Sequence, residues 1–132
     1  MVLVDTSVWV AFFRRTDLRI AAALEALLDD GAVVLAAPVR VELLSGASAQ
    51  SLTAIRRGLS ALPVFMPTPD TWKLLDTWTA RAVRRGERFG AMDLLIGALA
   101  AERGATVWSL DRDFARMARL RLVKLFAVPR DH

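Results

Sequence analysis

Three carboxylates of this chain stand where charge is otherwise scarce, and two more offer to join them. Asp5 is the only charged residue among the first thirteen, and Asp93 is the only one in the run FGAMDLLIGALAA at 89–101. Glu42 lies among Val41, Leu43 and Leu44, and between Gly31 and Ile55 its one charged companion is Arg40. Asp111 and Asp113 fall together in SLDRDF. An ionised carboxylate in apolar surroundings is costly unless it meets a cation, dense hydrogen bonding or a proton. Ordinary structural roles exist for most of them: Asp5 can cap a helix, Glu42 can pair with an arginine, and Asp111 and Asp113 suit the exposed amides of a helix start. Asp93 is harder to place. At helical spacing it shares a face with Phe89, Ile96, Gly97 and Ala100, and no lysine or arginine lies within a turn of it. Gathered in one pocket, such acids repel unless protons or cations compensate. A hard divalent ion, Mg²⁺ or Mn²⁺, suits oxygen-only ligation, and it can acidify a bound water and aim it at phosphorus.

Composition closes off the other routes. There is no cysteine, which excludes disulfides, thiol nucleophiles and thiolate metal sites. The single histidine is His132, the last residue, so serine-hydrolase triads, paired-histidine ribonuclease chemistry and histidine-based zinc sites lack their parts. The net charge is +4, and arginine supplies 16 of the 18 basic residues. The planar guanidinium fork matches phosphate, which makes nucleic acid a reasonable partner; a plain compositional bias toward arginine and alanine accounts for the count equally well. Hydrophobic residues make up 55% of the chain and mean hydropathy is +0.36, yet no apolar run approaches the roughly 18 residues of a membrane span. No basic head precedes the first apolar run, so no cleaved signal peptide is expected. A sheet covered on both faces, plus a dimer or partner interface, would use the excess apolar surface. The expectation is a soluble, cytoplasmic, oligomeric protein.

The elements that must position the acids alternate along the chain. Residues 2–5 read as a short buried strand, with Thr6 and Ser7 opening a helix through Phe13. Ile20, Leu24, Leu27 and Leu28 form the stripe of a helix over 17–30, capped by Asp17 and ended by Gly31. A strand at 33–36 precedes a helix with Pro38 in its first turn, which carries Glu42 toward Gly46. Leu52, Ile55, Leu59 and Leu62 mark a fourth helix, and 64–66 a strand between Pro63 and Pro67. Thr68, Pro69 and Asp70 open a helix that buries Leu75, Trp78 and Ala82 and stops at Gly86. The Asp93 helix follows, closed by Gly104; then come a strand at 106–110, a basic helix at 111–120 and a last strand at 122–126. No repeat or linker divides the chain, so one domain over 1–132 is expected. The alternation predicts an α/β fold with a central parallel sheet of about four to five strands and helices on both faces. Sites in such folds lie at the carboxyl ends of the strands, where Asp5 and Asp111 both fall.

Taken in order, Asp5-Thr6-Ser7 after the first strand, Glu42 in VELLSG, Asp93 in AMDLLIGALA and Asp111 in SLDRDF resemble the acidic signature of PIN-domain ribonucleases, and the short chain looks most like the VapC toxins of bacterial toxin–antitoxin pairs. The resemblance covers nearly the whole chain; each motif is weak alone and the ordered set is specific. It implies a Mg²⁺- or Mn²⁺-dependent endoribonuclease inhibited by a cognate antitoxin in its active-site groove. It also implies that Asp5 and Asp93 are the principal metal ligands, that Glu42 assists the metal or its water, and that Asp111 completes the set. Thr6 or Ser7 would orient Asp5 or a metal-bound water, and Asp113 competes with Asp111 because the last motif can slide by two residues. Gly97 stands where the family more often has alanine.

On the substrate side, Arg81, Arg84 and Arg85 share a helix face, and Arg88 and Arg112 flank the acids in sequence. They offer phosphate contacts for RNA, or else a solvated face. Trp9, Phe12 and Phe13 serve a dimer or antitoxin contact, or the core. A haloacid-dehalogenase-like phosphatase would want a second aspartate where Ser7 stands, and a receiver domain would want a placed lysine where the chain has only Lys73 and Lys124. The competing reading from another class is a catalytically silent PIN-like module that binds RNA or protein; the presence of all four acids weighs against it.

Overall fold

In the structure, a computed structural model describing residues 1–129, β1 (Val2–Val4) runs straight into α1 (Thr6–Arg14), and α2 (Leu18–Asp29) returns the chain to β2 (Val33–Ala36). Every residue of β1 and β2 is buried. Because successive strand side chains point to opposite faces, both faces of these strands are covered, as a parallel sheet demands. α3 (Ala37–Ser45) follows β2 directly, then α4 (Leu52–Leu59) and the short β3 (Val64–Phe65). α5 (Pro69–Arg84), α6 (Ala91–Glu102), β4 (Thr106–Trp108) and α7 (Arg112–Arg119) complete the order. The four strands lie in the order β3-β2-β1-β4, all parallel, within the range of strands expected from the alternation. His132 lies outside the described residues.

Local chemistry explains the boundaries. Asp17 caps α2 by accepting from the amides of Arg19 (2.9 Å) and Ile20 (3.3 Å). Thr68 and Thr71 form a capping box at the start of α5. Gly31, Gly86 and Gly104 follow helices with φ of +66°, +70° and +68°, the left-handed geometry that lets the chain turn away. α6 begins at Ala91 rather than at Phe89, because Gly90 occupies its N-cap position in an extended conformation.

The predicted last strand shrinks to a single parallel bridge between Val107 and Leu125. Val107 donates to the carbonyl of Lys124 and Phe126 donates to that of Val107, both at 2.8 Å, but no pairing extends beyond them. β4 is itself only three residues long, so it offers too little edge for a longer ladder. β4 also ends short of the expected Leu110: beyond Trp108 the chain leaves the sheet at Ser109, whose side chain is engaged elsewhere.

The core is continuous from β1 and β2 through α6 to Phe114 and Met117 of α7. Gly97 lets α6 approach its neighbours closely. A Cβ there would meet Val123 Cγ1 at 3.1 Å, Met117 Sδ at 3.3 Å and Trp78 Cζ3 at 3.3 Å. Among the described residues no helix is long and apolar enough to cross a membrane.

Candidate active site

Asp5 leaves the carboxyl end of β1 and occupies the N-cap position of α1, yet its carboxylate makes no capping bond. It is buried, at 6% exposure, and Oδ2 instead accepts from Ser7 Oγ (3.0 Å) and Ser109 Oγ (2.7 Å). The two hydroxyls are 3.2 Å apart, and each accepts a backbone amide: Leu110 N to Ser7 and Asp111 N to Ser109, both at 3.0 Å. Strand register makes this possible, since Val4 pairs with Trp108 and Asp5 N donates to the Trp108 carbonyl at 2.9 Å. Asp5 and Ser109 are therefore next-door residues at one sheet edge although 104 positions separate them. Ser109 is the site residue that sequence reasoning missed. The available signal was its place two residues before Asp111, near the carboxyl end of a predicted strand, the sheet edge where Asp5 also falls.

Asp93 lies in the first turn of α6, half-buried, where the helix dipole favours a negative charge. Desolvation nonetheless pushes its pKa up to about 6, helped by the charges of Asp111, Asp5 and Asp113 and by a hydrogen bond with Asp113. Asp111 is the N-cap of α7 and exposed; its Oδ1 accepts from Asp113 N at 2.9 Å. Asp113 is half-exposed and receives Arg116 Nη1 at 2.7 Å. One carboxylate oxygen from each of Asp93, Asp111 and Asp113 can lie within 4.8 Å of the others. Glu42, on α3, is exposed as a residue. Its carboxyl is still held above the usual range, first by partial desolvation and then by the charge of Asp5, with the Thr6 hydroxyl pulling weakly the other way. Thr6 Oγ1 is itself buried and outside hydrogen-bond geometry with any described residue, so it is Ser7, of the two hydroxyls, that reaches Asp5.

The donor set suits a hard cation. Bonds of about 2.1 Å to a small divalent ion require oxygens no more than about 4.2 Å apart. The Asp93, Asp111 and Asp113 oxygens, within 4.8 Å of one another, stand slightly wider than that spacing. The elevated Asp93 pKa comes first from desolvation and only then from the neighbouring charges of Asp111, Asp5 and Asp113, and a bound cation would relieve both.

The arginines are spread more widely. Arg84 and Arg85 are exposed at the last turn and cap of α5, Arg88 is exposed in the connection to α6, and Arg112 is exposed between Asp111 and Asp113. Arg81 instead donates to the carbonyl of Leu120 at 3.4 Å, beyond the far end of α7, about 13.5 Å along that helix from Asp111. On α1, Trp9 is buried, Phe12 is partly buried and Phe13 is 43% exposed. Trp9 and Phe13 stack at 5.8 Å beside a cleft of about 230 Å³ that Phe13, Arg14, Leu43 and Glu42 help to line.

Comparison with known proteins gives the same picture from outside. Residues 2–120 match the PIN domain family. Ribonuclease VapC11 of Mycobacterium tuberculosis and VapC ribonuclease Mb1587 of Mycobacterium bovis are each 34% identical over 125 residues, covering 91% of this chain and 93% of theirs. Among solved structures, VapBC-5 of Mycobacterium tuberculosis aligns with a TM-score of 0.66 at 26% identity, over 96% of this chain and 97% of that one. The FitAB complex with IR36 DNA aligns at 0.80 and 20% identity over the full length of both chains, which speaks to the fold. An acidic sheet edge on a β3-β2-β1-β4 frame, a PIN match over nearly the whole length and relatives one-third identical together place this chain in the PIN-domain family, among the VapC ribonucleases.

Proposed function

We propose that this protein is a Mg²⁺- or Mn²⁺-dependent endoribonuclease toxin, held inactive by a cognate antitoxin. The observation that carries the reading is the meeting of Asp93, Asp111 and Asp113 beside Asp5 at the carboxyl edge of the sheet. The relatives point the same way: the curated ones are named ribonucleases, and the VapBC structures are toxin–antitoxin systems.

Asp5 and Asp93 would hold the ion, with Asp111, Asp113 and Glu42 supporting. When bound, a divalent ion supplies a positive charge that acidifies water and steadies oxygens around the scissile phosphorus. The protein's part is orientation. Ser7 and Ser109 fix one oxygen of Asp5 so that the carboxylate does not swing. Asp93 keeps a proton up to about pH 6 and above that offers a charged oxygen to the site. Glu42, whose carboxyl is raised by partial desolvation and by the charge of Asp5, would accept a proton during hydrolysis. Arg84, Arg85, Arg88 and Arg112 would hold RNA phosphates, and Arg81 would reach them only by leaving the Leu120 carbonyl. The cleft beside Phe13 and Glu42 gives an antitoxin segment a path to the acids. Cytoplasmic action, one domain spanning the chain and a homodimer belong to the same reading.

Purified protein should cut members of a single-stranded RNA panel with Mg²⁺ or Mn²⁺ and leave them intact with EDTA. Asp93→Asn should keep the fold and lose cleavage by orders of magnitude. Metal-independent cleavage, or full activity in that variant, would overturn the assignment.

A further inference from the structure

Arg116, in the middle of α7, is tied to four groups at once. Nη1 donates to Asp113 Oδ1 at 2.7 Å; Nε donates to Glu87 Oε2 at 3.2 Å, and Nη2 bonds the same oxygen. Nη2 also donates to the Arg88 carbonyl at 3.1 Å, and the guanidinium carbon lies 4.7 Å from the centre of the Phe89 ring. Three of these partners belong to residues 87–89, the connection that delivers the chain to Gly90 and so launches α6. Asp93 stands one turn further on. The fourth partner is Asp113, which sits against Asp93. Among the described residues, the bridge to Asp113 is the only ion pair formed by any of the five acids.

A rigid planar fork is needed to grip two carboxylates and a carbonyl while lying on a ring, and a lysine ammonium cannot do it. If Arg116 served only to offset charge at the acids, the Glu87 contact would work against it, because Glu87 draws two of the guanidinium donors away from them. We infer that Arg116 is a positioning residue: by clamping the α5–α6 connection to α7 it sets the spacing between Asp93 and the Asp111–Asp113 pair, and so tunes affinity for the divalent ion. The inference rests on the metal-nuclease reading.

Calorimetric titration of Mn²⁺ into the metal-stripped, full-length protein tests it without RNA, alongside thermal unfolding. Arg116→Met and Glu87→Ala should each weaken Mn²⁺ binding on the order of tenfold, and the double variant should be no weaker than the worse single one. Arg116→Met is the sharper arm, because it removes a cation that competes with the metal for Asp113; a pure charge role predicts tighter binding there, and that result would overturn the positioning role. Arg103→Met is the matched control. Arg103 bonds the Met66 carbonyl at 3.1 Å and lies 4.7 Å from the Phe65 ring centre, so its loss should lower the melting temperature with Mn²⁺ affinity intact. Wild-type affinity in both Arg116→Met and Glu87→Ala would overturn the positioning role alone. Absence of Mn²⁺ binding by the wild-type protein would remove the metal reading and this inference with it.

Discussion

Asp93 shows how a single residue can be held in tension by its surroundings. Its native pKa of about 6 exceeds the ordinary 3.8, so between those values the folded protein binds more protons than the unfolded chain. Stability of the metal-free protein therefore falls as pH rises from about 4 to 6 and stays reduced above it. Asp93→Asn should raise the metal-free melting temperature at pH 7.5 by a few degrees and make little difference at pH 4. Mg²⁺ should raise the wild-type melting temperature and leave that of the variant almost unmoved. Differential scanning fluorimetry at the two pH values, with and without Mg²⁺, checks all three. Ser109 has the opposite character, since it satisfies rather than burdens its partner. Ser109→Ala should cost about 1 kcal/mol in urea unfolding and about tenfold in RNA cleavage at limiting Mg²⁺, because it frees the Asp5 carboxylate. The acids were legible because an isolated charge in an apolar run is conspicuous. Ser109 was not, for a serine at a strand end is common and its partner lies 104 positions away. Arg116 was hidden for the same reason, its contacts at Glu87 and Phe89 being settled by packing alone.

At the scale of elements, α6 could be read almost whole from its sequence, since a long run with one charge and a glycine stop leaves few other options. Its start was read two residues early because the periodicity includes Phe89, whereas capping geometry at Gly90 sets the boundary. The fifth strand failed for a related reason. Residues 122–126 have strand-like composition, but pairing needs an edge of matching length and β4 is three residues long. Gly97 offers a prediction at this scale. Helix propensity alone favours Gly97→Ala by about 1 kcal/mol. The new methyl would meet Val123, Met117 and Trp78 together, so movement away from one brings it onto another. The variant should gain none of the expected stability in chemical denaturation. A gain of the full amount would show that α6 has slack against α5 and the 122–126 segment.

Over the whole molecule, exposed apolar side chains remain to be explained. Trp72 and Val83 are 55% and 68% exposed on α5, and eleven positions on a helix place them within about 20° of each other. Asp76 and Thr79 lie between them, so these are two separate apolar contacts on one face, which a second copy of the chain could cover. We expect a dimer by light scattering coupled to size exclusion, and Trp72→Lys should shift it toward monomer while Mn²⁺ binding persists. The parallel order β3-β2-β1-β4 was readable as a class from the strand–helix alternation. Its particular order was not, because short strands carry no mark of which neighbour they will choose.

That order has a consequence for synthesis. The first strand made is a central one, and its second neighbour is Thr106–Trp108, emerging when only about the last fifth of the chain remains. Until then β1 has one bare edge, Asp5 lacks Ser109, and Asp111 and Asp113 have yet to be translated. Under the nuclease reading, a nascent chain that has not passed Thr106 lacks part of its acidic site and should not cleave. Stop codons placed anywhere before Thr106 should yield cells that grow normally, so that lethality switches on only once the Ser109–Asp113 stretch is made.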